Sequence, residues 1–383
     1  MRVLHISSAR SLGGGERHLV ELAQALSARG HEVHVALRPG SPLREKLTAL
    51  QALNFIELPL QNALDIRSAL GIGRAVRERR IEIVHAHMAR DYPLAALATR
   101  RQPQARLIIT RHVMFPLKRL HALALAHVSR VIAVSAPVAR ALSERKIFPA
   151  RKISVVPNGI ALERFEQTTR EASRAAFARQ LNISPERLLV GTLGEINPLK
   201  GQAEFLRAAL LIAERQPQAD FIIAGRDRSE KGEHRAALAP LLSAPALRGR
   251  VHLTGWIDDV APFLKALDVF VSASHTESFG LAIVEAMASG TAIVATMTPG
   301  ACSVIEDGVS GKLVPLGDVE ALAANLDGLL SNSKERKRLS AHALEQARER
   351  FSLERMVRAT EQIYFAALRG DDELSVDDDE LSA

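Results

Sequence analysis

The chain has 383 residues, with 50 Lys+Arg against 43 Asp+Glu, 47% apolar and 24% charged residues, a make-up that suits a soluble globular protein too long for one ordinary domain and about right for two. No apolar run reaches the ~18 residues of a membrane helix, and Met1–Ser7 gives way to glycines and polar residues before a signal-peptide core could form. The single cysteine, Cys302, excludes an internal disulfide and a multi-cysteine metal site, so a cytoplasmic location is expected. Charge is uneven: residues 1–185 hold 29 Lys+Arg and 13 Asp+Glu (+16), residues 186–370 hold 21 and 23 (−2), and the last 13 residues hold 7 acids and no base.

Short Val/Ile/Leu-rich runs alternate with amphipathic stretches along the chain, the pattern of parallel sheets built from βαβ units. The first strand is expected over Val3–Ser7. It is followed by Leu12-Gly13-Gly14-Gly15-Glu16-Arg17 and a helix over about Glu16–Ala28, closed by Arg29-Gly30, where glycine can adopt the left-handed cap. Consecutive glycines let backbone N–H groups approach a ligand, and a helix N-terminus favours an anion. Gly13, Gly14 and Gly15 are thus either a ligand-facing turn or simply a tight βα turn; they match neither the spaced dinucleotide fingerprint nor a P-loop.

Further strands are expected over Glu32–Leu37, Ile83–His87, Leu107–Thr110, Val131–Ser135 and Ile153–Val156. His85 and His87 sit on a buried-type strand and are expected on opposite faces of the sheet, which argues against a shared metal. Thr110-Arg111-His112 ends a strand on a histidine that could donate to a substrate hydroxyl, stabilise charge, or merely complete the core.

Residues 161–187 are helical in pattern and charged, with no buried-strand signal, and the strand pattern restarts over Leu188–Leu193, Phe221–Ala224, Val251–Thr254, Val269–Ser272, Ala292–Ala295 and Lys312–Val314. The expected plan is a Rossmann-like domain over 1–165, a connection over 166–187, a second Rossmann-like domain over 188–350, a helix over 351–370 returning to the first domain, and a tail over 371–383 too acidic to pack and therefore disordered. Two doubly wound domains in tandem are expected to hold their ligands at the C-terminal ends of the strands, facing each other across a cleft.

The most informative segment runs from Ser272 to Gly290. A strand ends in the polar loop Ser274-His275-Thr276-Glu277, and a helix starts near Gly280, so the backbone N–H groups of Ser278, Phe279, Gly280 and Leu281 are placed for a phosphate or sugar oxygen. Glu277 in the loop and Glu285 on the second helical turn can each accept hydrogen bonds from adjacent hydroxyls.

These residues resemble the retaining glycosyltransferases of family 4, with the two-domain GT-B fold. Their pattern of two Glu separated by seven residues, with Phe-Gly after the first and Ala-Met-Ala-x-Gly around the second, stands here from Glu277 to Gly290. Also similar are Gly13–Glu16, His85-Ala86-His87, Thr110-x-His112, Val134-Ser135, Val156-Pro157-Asn158-Gly159-Ile160, Lys200-Gly201 and Asp307-Gly308-x-x-Gly311. The resemblance implies a nucleotide-sugar donor whose ribose is held by Glu285, whose sugar meets Glu277 and the Phe279-Gly280 backbone, and whose diphosphate is neutralised by Lys200. It implies that His112 contacts the sugar near the reacting carbon, that Gly13–Gly15 lie beside the leaving phosphate, and that Gly13, His87 and Arg111 are on the acceptor side. No cofactor and no metal are implied; charge on the leaving nucleoside diphosphate can be met by Lys200 and helix N-termini.

Two positions depart from the family pattern. Glu195 replaces an Arg in Gly194-Glu195-Ile196-Asn197-Pro198-Leu199-Lys200-Gly201, and Ser303 stands where a Glu is usual. A carboxylate about 4 Å from a phosphate charge would cost roughly 4 kcal/mol at an effective dielectric near 20, so Glu195 is expected to point away or to pair with Lys200 or Arg226, and Arg226 or Arg228 to supply the missing positive charge. Rival readings are a degenerate GT-B protein that binds without transfer and a hydrolysing epimerase. The basic half lacks aromatic interleaving, which argues against nucleic acid. Arg67, Arg74, Arg77, Arg79 and Arg80, together with the basic and apolar stretch 111–120, point instead to an anionic membrane surface at the inner leaflet and a glycan or lipid-linked acceptor.

Overall fold

The computed structural model describes residues 1–48, 53–117 and 121–371. The acidic tail beyond Asp371 and Lys118-Arg119-Leu120 of the basic stretch lie outside the described residues. The chain divides into two compact units, one made of Met1–Gly159 with the chain from Leu353 onward, the other of Ile160–Ser352.

In the first unit β1 (Arg2–Ser7), β2 (Glu32–Leu37), β3 (Leu53–Glu57), β4 (Ile83–Ala86), β5 (Arg106–Arg111), β6 (Arg130–Ala133) and β7 (Ile153–Val155) form a parallel sheet in the order β3-β2-β1-β4-β5-β6-β7. Strand β3 is absent from the expected set. Its Leu-Asn-Phe-Ile-Glu sequence is a half-exposed edge strand, so it lacks the continuous apolar signature of its buried neighbours.

The core of this unit joins Val3, Val33, Val35, Ile83, Ile108 and Ile132 of the strands to Leu19, Leu22 and Leu26 of the helix Gly14–Ala28. Met356, Val357, Ile363 and Tyr364 of the last helix, Leu353–Arg369, complete it. Each large apolar side chain contributes ~1.5–3 kcal/mol on burial, so this helix is a layer of the first unit. Arg29 to Glu361 at 2.7 Å and His31 to Glu361 at 2.6 Å fix its register.

In the second unit β8 (Leu188–Leu193), β9 (Ala219–Ala224), β10 (Val251–Gly255), β11 (Val269–Ser272), β12 (Ala292–Thr296) and β13 (Lys312–Val314) form a parallel sheet ordered β10-β9-β8-β11-β12-β13. The stretch 166–187, expected as a connection, carries the helix Arg170–Leu181, which packs within this unit. Thr169 caps it, Phe177 lies against Phe263 with ring centroids 5.6 Å apart, and Arg174 reaches Asp268 at 2.7 Å.

Strand order reverses between β1 and β4 in one sheet and between β8 and β11 in the other. Successive crossovers leave the sheet on opposite sides there, opening a crevice at the C-terminal strand ends. The segments that follow those strands are Ser8–Gly15 and His87–Asp91 in the first unit, and Gly194–Gly201 and Ala273–Gly280 in the second.

Candidate functional site

In the second unit β8 runs into Gly194 and a short turn, Pro198–Lys200, whose Leu199 N–H donates to the Asn197 side chain at 3.0 Å. Gly201 has φ +68°, and a Cβ there would stand 1.9 Å from the Ala273 carbonyl oxygen. Only glycine therefore lets the Lys200 turn lie against the end of β11. As a result Lys200 Nζ sits 2.5 Å from Glu277 Oε1, and the Ser274 hydroxyl donates to the same oxygen at 3.0 Å.

The Glu277 loop is pinned by backbone. Gly300 N–H donates to the Glu277 carbonyl at 2.9 Å, and a Cβ at Gly300 would stand 2.6 Å from Phe279 N. Gly280, at φ +98°, caps the helix Leu281–Ala288, so Ser278, Phe279, Gly280 and Leu281 form the turn that enters it. The Phe279 ring is buried edge-on against Phe351, with centroids 5.7 Å apart at 83°. Glu285 lies buried on the second turn.

The expectation that Glu195 pairs with Lys200 or Arg226 is corrected. Its ion-pair partner is Arg228, 3.8 Å away, and Asn197 donates to it at 3.3 Å. The cause is close approach of two strand exits: a Cβ at Gly225 would stand 1.7 Å from the Gly194 carbonyl oxygen, so the loop after β9 runs beside the loop after β8. Arg226 and Arg228 both lie 5.7 Å from the ring centroid of Trp256. Ser303, the other departure, donates to the Gly300 carbonyl at 2.7 Å and so closes the first turn of the helix Pro299–Val304.

In the first unit the strand ends converge on histidines. His85 pairs in register with His5, and the His85 and His87 rings lie 4.1 Å apart. The expectation of opposite faces is corrected, because residues two apart on an extended chain share a face. His5 Nδ1 and His87 Nε2 are hydrogen-bonded at 3.0 Å. His85 bonds the Tyr364 hydroxyl through Nδ1 and the Thr110 hydroxyl through Nε2, each at 2.6 Å.

His18, from the helix Gly14–Ala28, stands edge-on to His112 at 4.8 Å, and His87 stacks on His112 at 6.0 Å. A Cβ at Gly15 would stand 3.3 Å from the His112 ring, so the turn Gly13–Gly15 rests on that imidazole. Arg111 is buried, and its guanidinium reaches the Phe115 carbonyl, holding the loop after β5.

Burial depresses the pKa of all five histidines. His5 falls to about 3, with neighbouring His18 adding to the effect, and His18 falls to about 4, with Asn158 opposing the drop. His85, His87 and His112 lie well below the usual range, for burial first and neighbouring histidines second. At neutral pH each imidazole is therefore uncharged, one nitrogen a donor and the other an acceptor.

The structure thus assembles Gly15, His87 and His112 in the first unit, and Lys200, Glu277 and the turn Ser278–Leu281 in the second. Sequence reasoning assigned nothing to His5, His18, Tyr364, Ser274 or Trp256. Period-two alternation would have flagged His5 once β1 was known to adjoin β4, whereas no local signal links Tyr364 to His85. Among the described residues no helix is long and apolar enough to cross a membrane.

A family described as Glycosyl transferases group 1 matches residues 173–346, and one described as Glycosyltransferase Family 4 matches residues 12–164. A D-inositol 3-phosphate glycosyltransferase of Geodermatophilus obscurus is 30% identical over 94% of this chain and 86% of its own length. A lipopolysaccharide core biosynthesis glycosyltransferase, LpsE of Rhizobium meliloti, is 27% identical over 95% and 98%. Among solved structures, a glycosyltransferase of Rickettsia africae superposes with TM-score 0.87 at 22% identity over 96% of this chain and 98% of that one. Anabaena HepE, crystallised with UDP and glucose, does so with TM-score 0.82 at 21% identity over 94% and 98%. The two-sheet architecture is the GT-B fold.

Proposed function

The chain belongs to the glycosyl transferases of group 1 and family 4, and from that premise we propose that it moves a hexosyl-type sugar from a nucleotide-sugar donor to a glycan or lipid-linked acceptor, with retention of anomeric configuration, in cell-envelope polysaccharide or lipopolysaccharide synthesis. The observation that carries the reading is the Lys200–Glu277 pair, 2.5 Å apart at the reversal point of the second sheet beside the backbone turn Ser278–Leu281.

On donor binding Lys200 exchanges Glu277 for the diphosphate, and Glu277 turns to sugar hydroxyls. The turns entering the helices Gln202–Ile212 and Leu281–Ala288 add N–H donors, Arg226 extends the positive charge, and Glu285 takes the ribose. These groups meet the leaving charge without a metal requirement. From the first unit, neutral His112 is assigned to the sugar near its reacting carbon, Gly13–Gly15 to the leaving phosphate and acceptor, and His87 and Arg111 to the acceptor side. No covalent nucleophile is assigned.

The UDP held by HepE supports UDP as the first base to try, and the name of the Rhizobium relative supports an envelope acceptor. Glu195, which motivated a binding-only reading, has Arg228 3.8 Å away as a counter-charge, which favours transfer. Release of nucleoside diphosphate from a panel of UDP, GDP and ADP sugars, with glycan and phosphorylated-polyol acceptors, tests the reading. Turnover that Glu277→Ala abolishes is expected; donor binding without turnover would restore the binding-only reading.

Peripheral attachment at the inner membrane face is part of the same proposal. The helix Ile66–Glu78 carries Arg67, Arg74 and Arg77, while Leu64, Ile66 and Leu70 are 86%, 63% and 69% exposed beside them, a basic and apolar combination that suits an anionic interface. Co-sedimentation with anionic vesicles at low salt, lost at high salt, is expected. Absence of low-salt binding would contradict it.

A further inference from the structure

We propose that His18, His87 and His112 of the first unit form a binding site for one late first-row divalent transition ion, with Zn2+ as the ion argued. One ligand nitrogen from each of the three lies within 4.8 Å of the other two. A tetrahedral zinc with bonds of about 2.0–2.1 Å sets its nitrogens about 3.4 Å apart, so binding draws the triangle inward.

The unusual feature is the set of spare nitrogens. His87 Nδ1 and His112 Nε2 are buried and have no hydrogen-bond partner among the described residues, and His18, with both ring nitrogens buried, has the Asn158 side chain beside it. Buried polar atoms in folded proteins are paired as a rule, and an aromatic or aliphatic side chain would fill the same space without desolvating a ring nitrogen. Asn158, whose side chain lies within hydrogen-bonding reach of His18, offers its Oδ1 as a fourth ligand or a hold on a fourth-position water.

A second triangle, His5, His85 and His87, is equally compact, but His85 has no nitrogen left for an ion, and only His5 Nε2 and His87 Nδ1 remain without a partner there. His85 uses both on Tyr364 and Thr110, and His5 Nδ1 bonds His87 Nε2. That last bond orients the proposed ligand: with its proton on Nε2 donated to His5, His87 presents the Nδ1 lone pair to the ion, the outer-sphere arrangement that metal-binding histidines use. A bound ion would occupy His112 Nε2 in competition with any ligand hydroxyl.

The full-length protein, freed of metal by chelation, is titrated with Zn2+ by calorimetry and examined by zinc X-ray absorption. One ion per chain is expected, with three imidazole nitrogens at about 2.0–2.1 Å. His18→Gln and His87→Gln are each expected to weaken binding at least tenfold, while His342→Gln, on an exposed helix face, leaves it unchanged. Fewer than three nitrogen neighbours, binding well below one ion per chain, or unchanged affinity in the folded His18→Gln protein would each overturn the site. The absorption measurement uses the parent chain, so it decides the matter even where a variant fails to fold.

Discussion

Lys200 and Glu277 are 77 residues apart in the chain, yet the lysine ammonium lies 2.5 Å from a Glu277 carboxylate oxygen, brought there by the exits of two adjacent strands. The proposed diphosphate-binding cation is thus held by the proposed sugar-binding acid, and the two must part for a donor to enter. Lys200→Met is expected to weaken nucleoside diphosphate binding at least tenfold, ~1.4 kcal/mol. Glu277→Gln should preserve or tighten that binding, because it removes the competitor, while lowering transfer at least ~100-fold. Calorimetry and a release assay separate the effects; equal losses of diphosphate affinity in both variants would contradict the exchange.

Trp256 is the only tryptophan in the chain, and Arg226 and Arg228 both lie over it. Nucleoside diphosphate that recruits either guanidinium should change its fluorescence. Arg226→Gln with Arg228→Gln is expected to reduce both the fluorescence response and the affinity, about tenfold or more. Arg228→Gln alone should also weaken binding, by leaving the Glu195 carboxylate without its ion-pair partner. Unaltered affinity in the double variant would remove these arginines from the donor site.

The His85–Tyr364 bond ties the last helix to β4 across 279 residues. Tyr364→Phe keeps the ring but leaves a buried imidazole nitrogen unpaired, at a cost of about 1–3 kcal/mol, whereas Tyr364→Ala adds a cavity and should cost ~3–5 kcal/mol. Thermal or denaturant unfolding measures both. A Tyr364→Phe protein as stable as the parent would mean that the hydroxyl contributes nothing net.

Acidification should loosen the first unit. His5 and His18 have folded values near 3 and 4 against about 6.5 when unfolded. Between those limits the unfolded chain binds more protons, so stability rises with pH: their contribution is complete above about 6.5 and is lost as pH falls towards the folded values. The structured acids Asp220 and Glu361 have lowered values and titrate below the usual carboxylate range, while burial raises Asp91, whose protonation opposes the histidine effect. Unfolding temperature should fall between about pH 6.5 and about pH 5, and His18→Asn should flatten the fall. A temperature constant over the window in the parent protein would contradict it.

Much of this molecule is legible locally. Buried parallel strands announce themselves as apolar runs, and the chemistry-bearing loop from Ser272 to Gly290 reads as a strand exit entering a helix, because the backbone there is dictated by nearby residues such as Gly280 at φ +98°. The edge strand β3 escapes that reading, since one open side relieves it of the need for continuous apolar sequence.

What the tertiary structure alone decided is which distant groups share a charge or a proton. Glu195 found Arg228 because two glycines let neighbouring loops approach within backbone contact. Five histidines became one uncharged cluster because strand order placed β1 beside β4 and folded a helix over them. Composition and period fix which residues are buried, but pairing energies fall steeply with distance, and those distances exist only once the sheet has ordered its strands.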